Sequence, residues 1–287
     1  MNHDNTNAPG RVWLITGCSS GLGLALATFA LARGQRVIAT ARQLTALDEL
    51  KALYPHTCLP IALDVTNALQ VQAAFAQGMV AFGRLDVLVN NAGCGLIGAF
   101  EEFAKEQITR NFEVNFFAGL DLIRRALPIF RAQRSGHIVN ISAAAAISNY
   151  AGFSIYGASK WALEGVSEAL AAELKPLGIN VTIVQPGPFR TDFISRSLES
   201  AENHIPDYDN TSGKFRRLLQ TMDGKQPGDP DKAACAIFAV VEHEKPPLRL
   251  VLGKYATDKV RKKTISIESD LVAWASVGSP TEFTSTL

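Results

Sequence analysis

Seven short runs of Val, Ile and Leu recur along the chain, each followed by a longer segment, and this alternation constrains the fold more than any other feature. The runs are Val12–Thr16, Val37–Thr40, Leu59–Leu63, Leu85–Asn90, His137–Ile141, Val181–Val184 and Leu248–Leu252. Their apolar residues are consecutive instead of alternate. Strands of that kind are buried on both faces, which requires a parallel sheet covered by helices on each side. The segments between them, 21–33, 43–53, 66–82, 102–133, 154–176 and 229–243, have helical length, and Leu163, Val166, Leu170 and Leu174 mark an apolar stripe in the fifth. The chain therefore reads as one α/β domain over 11–253, a doubly wound parallel sheet of about seven strands flanked by helices.

Three segments lie outside this pattern. Residues 1–10 are expected to be a disordered polar tail, and 254–287 a C-terminal extension whose basic residues Lys254, Lys259, Arg261, Lys262 and Lys263 lie on a solvated helix face. Residues 187–230 contain no strand pattern and mix Phe189, Phe193, Ile194 and Leu198 with Pro206, Asp207, Tyr208 and Asn210. A stretch that long in a compact domain is expected to be a lid over a substrate.

Composition excludes several classes. With 28 Lys and Arg against 27 Asp and Glu, the chain has no general field for nucleic acid or anionic lipid, so no nucleic-acid or membrane partner is expected. The longest apolar stretch, Leu22 to Ala32, is too short to cross a bilayer, and the opening residues lack a signal-peptide pattern, so the expected location is cytoplasmic. The histidines show no ligand spacing, and no metal is expected. Cys18, Cys58, Cys94 and Cys235 form no pair in sequence and are read as structural, with Cys18 or Cys94 as the alternative reactive thiols.

The first run leads through Thr16-Gly17-Cys18-Ser19-Ser20-Gly21-Leu22-Gly23 into a helix. Glycines there allow a sharp turn and close approach of a ligand, and the helix N-terminus offers free N–H groups to a phosphate. The second run ends at Ala41-Arg42. An acidic residue at such a strand end binds ribose hydroxyls, whereas Arg accommodates a 2′-phosphate, so NADP(H) is favoured; Arg42 as a solvated helix-start charge is the alternative. Tyr156 and Lys160 are four apart at the start of a helical pattern, which places them on one face. Ser142 ends the fifth run, at the carboxyl edge where open α/β sheets bind ligands.

Together with Asp64-Val65, Asn90-Asn91-Ala92-Gly93, Asn115 and Pro186-Gly187-Pro188-Phe189-Arg190-Thr191, these motifs resemble the short-chain dehydrogenase/reductase family over residues 11–253, in its standard single-domain, Rossmann-type form. The resemblance implies an NADP(H)-dependent oxidoreductase that interconverts an alcohol and a carbonyl. It assigns Tyr156 as general acid/base and Lys160 as the group that holds the nicotinamide ribose and lowers the Tyr156 pKa. It assigns Ser142 to the substrate oxygen and Asn115 to a proton relay. Cofactor contacts are implied for Gly17, Ser19, Ser20, Gly21, Leu22, Gly23, Arg42, Asp64, Val65, Asn91, Ala92, Gly93, Tyr156, Lys160, Pro186, Gly187, Phe189 and Thr191. For Asn115 a helix kink, and for Asp64 a cap on the helix near Thr66, are the alternatives. Ala143–Ala146 with Tyr150, Phe153 and Phe193 are read as an apolar substrate pocket, or else as core. A homodimer or homotetramer through helices 102–133 and 154–176 is implied as well; Phe116, Phe117, Trp161 and Leu163 are its apolar residues, with core positions for all four as the alternative. Rival functions are a non-catalytic NADP(H) sensor or scaffold and a nucleotide-sugar epimerase.

Overall fold

A computed structural model describes residues 10–283; nearly all of the expected N-terminal tail lies outside the described residues. All seven runs become strands of one parallel sheet: β1 (Val12–Ile15), β2 (Arg36–Ala41), β3 (Cys58–Ala62), β4 (Val87–Asn90), β6 (Gly136–Ile141), β7 (Ile179–Pro186) and β9 (Arg249–Leu252), in the order β3-β2-β1-β4-β6-β7-β9. Two further strands, β5 (Gly95–Ile97) and β8 (Leu198–Ser200), pair with each other away from that sheet. Helices α1 (Gly21–Ala32), α2 (Asp48–Leu53), α3 (Ala68–Phe82), α4 (Lys105–Phe112), α5 (Ala118–Gln133), α6 (Ala144–Ile147), α7 (Ser154–Leu174), α8 (Ser212–Met222), α9 (Pro230–Glu242) and α10 (Lys254–Gly278) make up the rest.

Neighbouring residues of β1 face opposite layers, as the strand pleat requires. Trp13 and Ile15 join a core with residues of α1 and α9, where Trp13 stacks on Phe238 at 5.6 Å. Val12 and Leu14 join a second core with residues of α3, α5 and the end of α7. The sheet winds from β1 outward through β2 and β3, then returns to start again at β4. The strand order reverses between β1 and β4, so their carboxyl ends open a crevice for a ligand.

The structure corrects two expectations and decides between alternatives at two other places. Residues 187–230 are not strand-free, because Leu198–Ser200 finds a parallel partner in Gly95–Ile97, a tertiary pairing that strands of three residues cannot announce locally. The helix expected over 102–133 is split by a π-helical turn at Glu113–Phe117. Asp64 does not cap the next helix. Asn67 does, its side chain accepting from Leu69 and Gln70 N–H, while Asp64 accepts from Thr66 N–H and Oγ. Of the residues read as an oligomer face, Leu163 is core, whereas Phe117 and Trp161 are exposed. No described helix is long and apolar enough to cross a membrane.

Candidate active site

The crevice edge is built first by backbone. Gly17 and Gly21 have φ of 72° and 57°, values that disfavour any side chain. A Cβ at Gly23 would run into Gly17 O and the Asn91 amide, so α1 can approach the loop only with glycine there. Asn91 fastens the loop from the β4 side, its Nδ2 donating to Thr16 O at 2.8 Å and Gly17 O at 3.2 Å. The Thr16 hydroxyl accepts from Asn91 and Ala92 N–H. From the other side, the Thr191 side chain lies 3.1 Å from where a Gly21 Cβ would stand. Residues after β1, β4 and β7 thus converge on the N-terminus of α1. The loop's shape is that of an anion cradle, consistent with a dinucleotide phosphate.

Further along the edge, Arg42 follows β2 and is exposed. The Asp64 carboxyl is held below its ordinary range by the two Thr66 bonds first and by the Arg42 charge after them. Val65 is buried, while Pro186, Gly187 and Phe189 are half-buried after β7. Ser19 is exposed, and Ser20 and Leu22 are half-buried at the start of α1.

Three candidate chemical groups are buried at the end of β6 and the start of α7. Ser142, just beyond β6, is buried and its hydroxyl has no hydrogen-bond partner among the described residues. Tyr156 and Lys160 stand on the first turns of α7, 7% and 4% exposed. Lys160 Nζ donates to Ile141 O at 3.0 Å, which ties α7 to the end of β6. Asn115 sits in the π-turn, as the helix-kink alternative required, yet its side chain is fully engaged. Its Nδ2 lies within hydrogen-bond reach of Cys94 O at 2.8 Å, Asn111 Oδ1 at 3.1 Å and Ser159 Oγ at 3.1 Å, sharing two hydrogens among them, while Oδ1 accepts from Cys94 N–H. Gly93 is the hinge of this arrangement: a Cβ there would stand 3.1 Å from Asn115 Oδ1 and 3.3 Å from Lys160 Nζ.

Burial dominates the electrostatics. It pulls the Lys160 pKa down to about 8, partly countered by Cys94. Tyr156 is pushed up, by burial first and the Cys94 thiol second. In the protein without a cofactor, removal from water is the larger of the two influences on Tyr156. Burial disfavours the thiolate at both cysteines of the crevice. Cys18 is pushed up to about 12 by burial, and Cys94 is raised by burial as well.

Tyr150, Phe153 and Phe193 do converge. Phe153 meets the Tyr156 ring at 5.0 Å, and Phe193 meets it at 5.7 Å from the opposite segment. Phe215, which sequence reasoning missed, stacks on Tyr150 at 4.7 Å and meets Phe153 edge-on at 5.0 Å. Ala143, Ala145 and Ile97 complete the cluster with Leu198 and Leu219. The spacing Phe215, Leu219, Met222 was a readable helical stripe that could have placed α8 against it.

Set beside known proteins, residues 11–202 match the family model described as short chain dehydrogenase. A solved short-chain dehydrogenase from Streptomyces avermitilis is 43% identical, with a TM-score of 0.89 over 95% of this chain and 100% of that one. A short chain dehydrogenase/reductase from Burkholderia phymatum, solved in complex with NAD, shares the fold at 24% identity and TM-score 0.81, over 91% of this chain and 95% of that one. A serine dehydrogenase solved with NADP+ is 25% identical with a TM-score of 0.72, over 84% and 94% of the two chains. The chain belongs to the short-chain dehydrogenase family and is an oxidoreductase of that class, and its solved neighbours include one in complex with NAD and one with NADP+.

Proposed function

We propose that this oxidoreductase uses NADP(H) to interconvert a hydrophobic carbonyl compound and its alcohol. The observation that carries the reading is the buried Ser142 hydroxyl, unpartnered among the described residues, on the same edge as Tyr156 and Lys160. A buried hydroxyl without a partner costs about 1–3 kcal/mol. A substrate oxygen seated there would satisfy it.

The residues fit a dinucleotide. Gly17, Ser19, Ser20, Gly21, Leu22 and Gly23 would hold the pyrophosphate and Arg42 a 2′-phosphate. Asp64 and Val65 would border the adenine, Asn91, Ala92 and Gly93 the ribose region, and Pro186, Gly187, Phe189 and Thr191 the nicotinamide end. When bound, the nicotinamide supplies or accepts the hydride. The chain's own work is the proton and the geometry. Tyr156, held as a phenol by burial, donates its proton to the carbonyl oxygen in reduction and takes it back in oxidation. Lys160 would bond the ribose hydroxyls, and its charge favours the phenolate whenever the proton leaves. Ser142 steadies the oxygen as negative charge develops on it. Asn115 positions Cys94 and α7 in place of touching substrate. Tyr150, Phe153, Phe193 and Phe215 exclude water and select apolar substrates, with 187–230 as the lid.

The test is an NADPH-absorbance assay across a panel of ketones and aldehydes with wild type and Tyr156→Phe. The variant should lose about 10²–10⁴-fold in kcat while binding NADPH as wild type does. Retention of more than a tenth of the rate would favour a dinucleotide sensor instead.

A further inference from the structure

From Thr264 onward α10 stands exposed to solvent. Its first turns are anchored: Ala256 is fully buried, Tyr255 Oη bonds Tyr150 Oη at 2.8 Å, and Lys259 Nζ lies 3.3 Å above the Tyr150 ring. Every described residue from Thr264 to Phe283 is exposed, among them Ile267 at 45%, Leu271 at 63% and Trp274 at 66%. A free helix of that length is marginal in water. Thr264, Ile265, Ile267, Val272 and Val277 make it weaker still, since β-branched side chains lose rotamer freedom in a helix. Its order requires something against it.

The sequence specifies what. Val260, Thr264, Ile267, Leu271, Trp274 and Gly278 follow one another at alternating spacings of four and three, the seam of a two-helix coiled coil. Charges beside the seam are segregated along it. Arg261 and Lys263 flank its N-terminal half, Glu268 and Asp270 its C-terminal half. A parallel copy would match only Lys263 with the partner's Glu268 and leave Arg261 and Asp270 with no charge across the seam. Antiparallel, with Thr264 packed against Ile267 of the partner subunit and Val260 against Leu271 of the partner subunit, Arg261 falls beside the partner's Glu268 and Lys263 beside the partner's Asp270. The two-fold axis then repeats both pairs. This register fills the seam and engages all four charged residues. The same two acids argue against an anionic lipid surface, which favours a uniformly basic flank.

We infer that α10 pairs antiparallel with α10 of a second copy of this chain. The interface is separate from the faces of α5 and α7 and is self-complementary, as a two-fold contact must be. It places Trp274 of the partner subunit opposite Thr257, between Tyr255 and Lys259, the two residues that hold Tyr150. Pairing thus braces one wall of the aromatic cluster from outside.

Charge exchange tests it on the full chain by sedimentation velocity at micromolar concentration. One variant carries Arg261→Glu with Lys263→Glu, another Glu268→Lys with Asp270→Lys. Each alone should sediment at half the wild-type mass, and an equimolar mixture should return to the wild-type mass, because the mixed pair has every contact complementary again. Unchanged NADPH binding in both variants verifies the fold of the body. Variants that sediment like wild type, or a mixture that stays dissociated, would overturn the pairing. So would wild type that runs at the variants' mass. If that species floats with phosphatidylcholine/phosphatidylglycerol vesicles and loses this with Ile267→Ser, Leu271→Ser and Trp274→Ser together, the face belongs to lipid instead.

Discussion

Replacing Lys160 by Met should change how stability responds to pH, with a sign and size set by its burial. The side chain is 4% exposed, and burial brings its pKa from 10.5 to about 8. At about 1.4 kcal/mol per pH unit, that fall represents about 3 kcal/mol of cost for holding an ammonium in the fold. The native state gives up this proton near pH 8, whereas the unfolded chain keeps it to about 10.5. Below pH 8 the native state bears the whole cost. Between the two values the unfolded state binds more protons, so stability rises with pH, and above 10.5 nothing further is gained. Methionine fills similar space and never ionises. Its loss of the bond to Ile141 O shifts the variant's stability by a constant but leaves the slope alone. Urea unfolding of both proteins at pH 7 and pH 10, without added cofactor, isolates the effect. Wild-type stability minus variant stability should grow by roughly 2–3 kcal/mol over that interval. A difference constant within about 0.5 kcal/mol, well below that rise, would refute the claim that burial governs this lysine.

Two further outcomes follow from the edge loops. If Arg42 holds a 2′-phosphate as proposed, Arg42→Ala removes a charged bond worth about 1.5–3 kcal/mol, so kcat/KM with NADPH should fall roughly 10- to 150-fold while NADH is little changed. An unchanged ratio of the two cofactors would leave Arg42 a solvent-facing charge. Hydrogen exchange over 187–230 should slow when NADPH and a ketone inhibitor are both present, as a closing lid requires. Equal protection with and without them would make the segment a fixed wall.

The seven sheet strands were legible because strands buried on both faces must be apolar at consecutive positions, and few other structures impose that. The glycine loop, the strand-end residues and the Tyr156–Lys160 spacing were legible for a related reason: backbone approach and helix geometry restrict which residues can stand there. What escaped depends on distant partners. Leu198–Ser200 is a strand only because Gly95–Ile97 lies beside it. The direction of the Tyr156 shift depends on burial, and the spacing to Lys160 says nothing about how much water reaches the ring. Phe215 joins the cluster through the fold of 187–230, the segment whose sequence carried least period.

Two kinds of force divide the site, and the division bears on what can vary. The residues that frame the proposed proton donor and cofactor are fixed by directional bonds to backbone: Lys160 to Ile141 O, Asn115 to both sides of Cys94, Asn91 to Thr16 and Gly17. Each bond spans two sheet strands or a strand and a helix, so moving one group breaks buried partners at about 1–3 kcal/mol apiece. The substrate side has no such frame. Tyr150, Phe153, Phe193 and Phe215 are held by ring contacts at 4.7–6.1 Å, with Phe193 and Phe215 on the segment proposed as a lid. Ring contacts tolerate repacking, since exchanging one apolar side chain for another of similar volume usually costs under about 1.5 kcal/mol. The same frame can therefore carry one proton transfer while the aromatic wall is altered to suit different carbonyl compounds. The bonds from Tyr255 and Lys259 to Tyr150 add a polar tether to a wall otherwise free to adjust.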